Sequence, residues 1–254
     1  MLFERIVARL EAAQPGQWVV KGGMALEVRL QDDARLTKDI DLGLRAELDD
    51  EGELHERVDD ALGRDLDGDN FMFTTSPPQR LSPDGGGHVT WRFSVSASVG
   101  GRVFGTIKLD VSPRAHELAR TDRLALPNLL DFAEIPTPEV EIVDVQRHAA
   151  EKLHAIARDY SDRDNSRVRD LVDVVLLLEH DALDAKKVAD AARAVWAERD
   201  NSTPPAVLPP LPDDWPDRYH RLASQHDLQT TSFGDARGHV DALWSQMFQN
   251  EEKP

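Results

Sequence analysis

The sequence predicts an α+β protein: a small mixed, mostly antiparallel sheet flanked by helices, followed by a helical C-terminal domain. Three observations carry that expectation. Residues 88–111 alternate apolar and polar side chains with period two, the mark of half-buried strands. The segments 2–13, 145–157, 168–178 and 184–198 place apolar residues at helical spacing. Composition shifts near residue 145, dividing the chain into an α/β domain, 1–145, and a helical domain, 146–254.

The elements follow in order. Leu2, Ile6, Val7 and Leu10 give a first helix, ended by Pro15-Gly16. Trp18-Val19-Val20 is a buried strand stopped by Gly22-Gly23, and Met24–Leu30 is helical again. From Leu36 to Leu44, Ile40, Leu42 and Leu44 share one face of a strand while Asp39 and Asp41 take the other. Residues 51–64 form an acidic helix with one face in solvent. In the hairpin, Val89, Trp91, Phe93 and Val95 face the core, Gly100-Gly101 makes the turn, and Val103, Ile107, Leu109 and Val111 return on the same side. Thr106, Lys108 and Asp110 point the other way. Six of the 15 prolines fall within a stiff connector at about 203–216, and two helices close the chain near 217–225 and 234–249.

Composition narrows the chemistry. With 254 residues, 47 acidic and 30 basic side chains, the formal net charge is −17, so no general basic surface coats a polyanion. The absence of cysteine excludes disulfide scaffolds, thiolate metal sites, cysteine nucleophiles and iron–sulfur clusters. No apolar run approaches the roughly 20 residues of a membrane helix, and the N-terminus lacks the pattern of a secretion signal. The expectation is a cytoplasmic protein without a membrane partner.

Three features of the first half converge. Gly22-Gly23 joins a buried strand to a helix start, where backbone amides favour anions. Asp39 and Asp41, two apart on a strand, project from one face and repel unless a cation lies between them; Mg²⁺ or Mn²⁺ suits such oxygen ligands. Asp110 has the same phase on another strand and supplies a third carboxylate if the two strands are neighbours. Such a triad beside a phosphate-cradling turn is what two-metal phosphoryl transfer needs. In the second half, Lys152 lies on a helix and is either a phosphate contact or a solvated surface lysine. Arg163, Arg167 and Arg169 belong to a locally basic segment that either meets an RNA backbone or salt-bridges adjacent helices.

The stretches Lys21-Gly22-Gly23-Met24-Ala25-Leu26 and Arg35-Leu36-Thr37-Lys38-Asp39-Ile40-Asp41-Leu42 resemble the polymerase-β-like nucleotidyltransferase superfamily. With Glu151-Lys152-Leu153-His154-Ala155 and Arg167-Val168-Arg169-Asp170-Leu171-Val172-Asp173, the likeness narrows to the AbiEii/MenT group of bacterial toxins. Two departures from the superfamily pattern stand out: Gly23 replaces the usual serine, and sixteen positions separate Gly23 from Asp39. The resemblance implies an NTP bound through Lys21, Gly22, Gly23 and Lys152, and a metal held by Asp39 and Asp41. It implies further that Asp170, or else Asp173, completes the site with Lys152. The implied acceptor is the 3′ end of tRNA, and the implied partner is an antitoxin encoded by an adjacent gene. Two alternatives remain beside it: the same chemistry on a small molecule or protein side chain, and a degenerate nucleotide-binding partner protein.

Overall fold

Apolar spacing and glycine punctuation dictate most of the elements. The computed structural model describes residues 1–35, 37–48, 50–83, 87–114, 118–127, 129–160 and 165–248. They belong to two units, Met1–Val143 and Asp144–Pro254.

In the first unit, α1 (Leu2–Ala13) buries Ile6, Val7 and Leu10. It leads through the Pro15-Gly16 turn into β1 (Trp18–Lys21), whose first three residues are buried. Next come α2 (Gly22–Leu30), β2 (Asp39–Leu44) and α3 (Glu51–Leu62). Asp50 caps α3, its Oδ1 accepting from the Gly52 amide at 2.7 Å. Leu54, Val58, Ala61 and Leu62 form the helix's buried stripe beneath its acidic face. The hairpin is β5 (Trp91–Val99) and β6 (Arg102–Pro113), turned by Gly100 and Gly101, both at positive φ. Around it lie β3 (Phe71–Thr75), β4 (Gln79–Arg80), β7 (Thr121–Ala125) and β8 (Glu139–Val143).

These eight strands form one sheet in the order β3-β5-β6-β2-β1-β8-β7, with β4 also on β5. Two pairings are parallel, β2 with β6 and β1 with β8; the others are antiparallel. The sheet is thus mixed and mostly antiparallel, but larger than the short alternations announce.

One expectation is overturned. Val103 does not share the core face with Ile107, Leu109 and Val111; it is 80% exposed. Ala97 pairs with Gly105 whereas Ser98 pairs with Val103, so Phe104 has no cross-strand partner. This bulge advances the register by one residue and reverses the face of everything nearer the turn.

The second unit is helical: α4 (Val145–Ala157), α5 (Val168–Glu179), α6 (Ala185–Asp200), α7 (Trp215–Gln225) and α8 (Phe233–Phe248). Asp144 caps α4, accepting from the amides of Gln146 and Arg147. Leu153, Leu171, Val175, Val188, Val195, Trp215, Tyr219 and Trp244 lie in its interior. The proline-rich connector has no regular secondary structure, but α8 ties it down. Trp244 donates to the Pro205 carbonyl at 3.2 Å, and Arg237 donates to those of Leu208 and Pro209. Among the described residues no helix is long and apolar enough to cross a membrane.

Candidate active site

Strand register decides which side chains of the first unit meet. Asp39 and Asp41 share a face of β2, with Ile40 and Leu42 buried behind them. In the parallel pairing of β2 with β6, Asp41 lies beside Asp110 and Asp39 beside Lys108. On its other side Asp41 pairs in register with Lys21 of β1. The three carboxylates expected to share a sheet face therefore do so.

The glycine pair is bound into the same spot. Gly22, at φ +57, opens α2, and a Cβ on it would come within 1.9 Å of Asp41 Oδ2. A side chain here meets both backbone strain and a filled space, so only glycine fits. The Asp41 carboxylate consequently lies at the start of α2, where helix amides favour negative charge. A Cβ on Gly23 would come 2.8 Å from Thr37 Oγ1 and 3.5 Å from Arg35 Nη1. The turn thus brings Thr37 and a cation, Arg35, to the helix start.

Asp110 has a partner that strand periodicity alone does not reveal. Arg92, opposite it on β5, donates from Nε to Oδ1 at 2.7 Å and from Nη2 to Oδ2 at 2.6 Å. This bidentate fork is the strongest form of guanidinium–carboxylate pair. The hydrogen bond to Asp110 raises the Arg92 pKa above its ordinary value; burial opposes that, and the charges of Asp110, Asp39 and Asp41 add to it. All three carboxylates therefore act on one guanidinium. The donor set, three carboxylates backed by apolar side chains, suits a hard divalent cation. With Asp110 turned to Arg92, no three His or acidic side chains among the described residues converge on one ion position.

In the second unit Lys152 is no solvated surface lysine: it is 6% exposed. Its Nζ donates to Asp173 Oδ2 at 2.5 Å and to Asp170 Oδ1 at 3.1 Å. Both acids project from one face of α5, three residues apart. Asp173 is fully buried, whereas Asp170 is partly accessible and also lies 3.9 Å from Arg167 Nη1. Arg167 and Arg169 are exposed, and Arg163 lies outside the described residues. Close by, His154 is buried against Trp196 and shares a hydrogen bond of 2.6 Å with Asp200.

Two solved structures share the fold along nearly the whole chain. One is a protein from H. pylori described as a nucleotidyltransferase, with 16% identity, TM-score 0.51, and coverage of 99% of this chain and 94% of that one. The other is MenT4, a nucleotidyltransferase toxin from Mycobacterium tuberculosis H37Rv, with 19% identity, TM-score 0.56, and coverage of 97% and 82%. No curated protein matches the chain. The fold is that of a nucleotidyltransferase. The family model described as "Nucleotidyl transferase AbiEii toxin, Type IV TA system" matches residues 5–250, and the chain belongs to that family. It is a nucleotidyltransferase of toxin–antitoxin type, and its family implies an antitoxin partner.

Proposed function

We propose that the protein moves a nucleoside monophosphate from an NTP to the 3′ end of tRNA in the cytoplasm, blocking translation until an antitoxin encoded beside it intervenes. The observation that carries the reading is the register that aligns Asp41 with Asp110 beside the Gly22 turn. Asp39 and Asp41, with Asp110, would hold the metal; Mg²⁺ or Mn²⁺ bound there would supply neutralisation of the triphosphate and polarisation of the acceptor oxygen. Lys21 and the amides after Gly22 and Gly23 receive the phosphates. Lys152, oriented by Asp170 and Asp173, adds a positive charge that strengthens its contact as the leaving pyrophosphate develops charge. The acceptor hydroxyl attacks the α-phosphorus in line and gives up its proton to solvent, while the bond from the α-phosphorus to the bridging oxygen breaks and pyrophosphate leaves.

One observation favours a second acceptor class. A net charge of −17 opposes a polyanion, which suits a small molecule or a protein side chain better than RNA. Incubating the protein with each α-labelled NTP, Mg²⁺ and total RNA separates the two. Label in tRNA-sized RNA is the expected result, and label in protein or a small molecule changes the acceptor. A Mg²⁺-dependent thermal shift by NTP without any transfer reduces the protein to a nucleotide-binding partner.

A further inference from the structure

Register-matched positions on β1, β2, β6 and β5 carry Lys21, Asp41, Asp110 and Arg92, in that order across the sheet. Neighbouring strands lie about 4.8 Å apart, so two carboxylates face one another across a single strand gap. Like charges so placed cost free energy unless positive charge stands close by. Arg92 provides it from the outer side and takes both oxygens of Asp110 in doing so. A carboxylate whose two oxygens are engaged by one guanidinium has little left to offer a metal ion or a proton.

We infer that Arg92 is the resident counter-ion of the carboxylate row: it competes with a divalent cation for Asp110, and cation loading requires the Arg92–Asp110 fork to open. The inference rests on the metal-site reading above. Arg92 is a positioning residue, since it acts through Asp110. The charges of Asp39 and Asp41 also act on Arg92, so its departure from the row is felt by all three acids. Losing it leaves the row more negative, which favours the cation and disfavours the cation-free fold. A unit charge about one strand spacing from a divalent ion, screened as in water, is worth about tenfold in affinity.

The test is a titration of the full chain with Mn²⁺ alone, read from the loss of the free-ion paramagnetic resonance signal, with thermal unfolding in parallel. Arg92→Ala should bind Mn²⁺ about tenfold more tightly than the unaltered protein. It should unfold at a lower temperature without Mn²⁺ and recover with it. Adding Asp110→Asn to Arg92→Ala should abolish the gain. Arg92→Lys keeps the charge but not the fork and should tighten binding by a smaller factor; it serves as the test if Arg92→Ala does not fold. Unchanged or weaker Mn²⁺ binding in the variant measured overturns the inference and leaves Arg92 a purely structural partner. The metal-site reading fails separately: no Mn²⁺ binding in any variant, or binding indifferent to Asp41→Asn, removes it and the inference together. Binding lost in Asp41→Asn but indifferent to Arg92 removes the inference alone.

Discussion

The carboxylate row of the sheet and the Lys152 cluster of the helical unit both set acids against basic partners, yet they hold those charges in different surroundings. In the row, Asp39, Asp41 and Asp110 are half-buried on an otherwise polar face, and strand register alone sets their spacing. In the cluster, Lys152 and Asp173 are shut away from water, and the helical spacing of Asp170 and Asp173 aims both acids at one ammonium. A buried charge must find its partners within the fold, because leaving it alone costs several kcal/mol. A half-exposed one can exchange partners with solvent ions. The difference teaches how burial sorts the two clusters: the first stays open to exchange with solvent ions, and the second keeps its ammonium within the fold.

Asp41→Asn is the sharpest way to break that contrast. The change is nearly isosteric and relieves repulsion within the row, so thermal stability without metal should be unchanged or slightly higher. Transfer should fall by at least a thousandfold, and the joint stabilisation by Mg²⁺ and NTP should vanish. Wild-type turnover in this variant would remove Asp41 from the metal site.

Lys152→Ala should behave in the opposite way, damaging fold and rate together. It strips Asp173 of a buried ammonium, which should cost about 3–5 kcal/mol in denaturant unfolding. The rate should fall about a hundredfold, or about 3 kcal/mol. Asp170→Asn, at the more open end of the cluster, should cost a similar rate with less stability. Because the pair would work as a unit, the double variant should be little slower than either single one. Rate losses that multiply would show two independent contributions.

A gentler probe of the helical unit uses pH. Burial holds the pKa of His154 below its ordinary value, while Asp200 pulls it up and Arg199 and Arg158 push it down. Between that lowered value and the ordinary one near 6.5, the unfolded chain binds a proton that the folded chain refuses. Stability should therefore rise with pH through this window and level off above it. His154→Gln should flatten the slope in unfolding measured at several pH values. The smallest effect falls on the basic segment. Replacing Arg163, Arg167 and Arg169 with Ala should lower the salt slope of tRNA affinity by about two, at roughly 0.7 for each single-strand phosphate contact. An unchanged slope would leave the salt-bridging alternative and remove the segment as an RNA contact.

What the sequence exposed and what it hid follow from the range of the interactions. The Asp39, Asp41 and Asp110 faces were legible because period two is a local property, and buried Ile40, Leu42, Leu109 and Val111 announce the opposite side. The glycine pair was legible as a turn. That Asp41 fills the space of a Gly22 side chain was not, since this needs the β1–β2 register. The strands β3 and β7 are short and carry their apolar residues without a strong alternation. The Glu139–Val143 strand does alternate, with Val140 and Ile142 buried, so its signal is present in the sequence. Period two places Arg92 opposite the core face of its strand but names no partner for it. Its partnership with Asp110 depends on pairing across the hairpin, which a count from the Gly100-Gly101 turn gets wrong by one.

That miscount traces to Phe104. Counted back from the turn without the extra residue, Arg92 would oppose Leu109, and Asp110 would oppose Trp91 and lose its guanidinium. The hairpin therefore answers a length change according to where it falls. Deleting Phe104 removes only the unpaired residue, so Ser98 keeps Val103, Ala97 keeps Gly105 and Arg92 stays opposite Asp110. Flattening the bulge with Phe104 kept in the ladder instead sets the polar side of β5 against the buried side of β6. Relatives that lengthen or shorten this hairpin should place the change at the bulge or the turn, with the charged pair at its base as the quantity preserved.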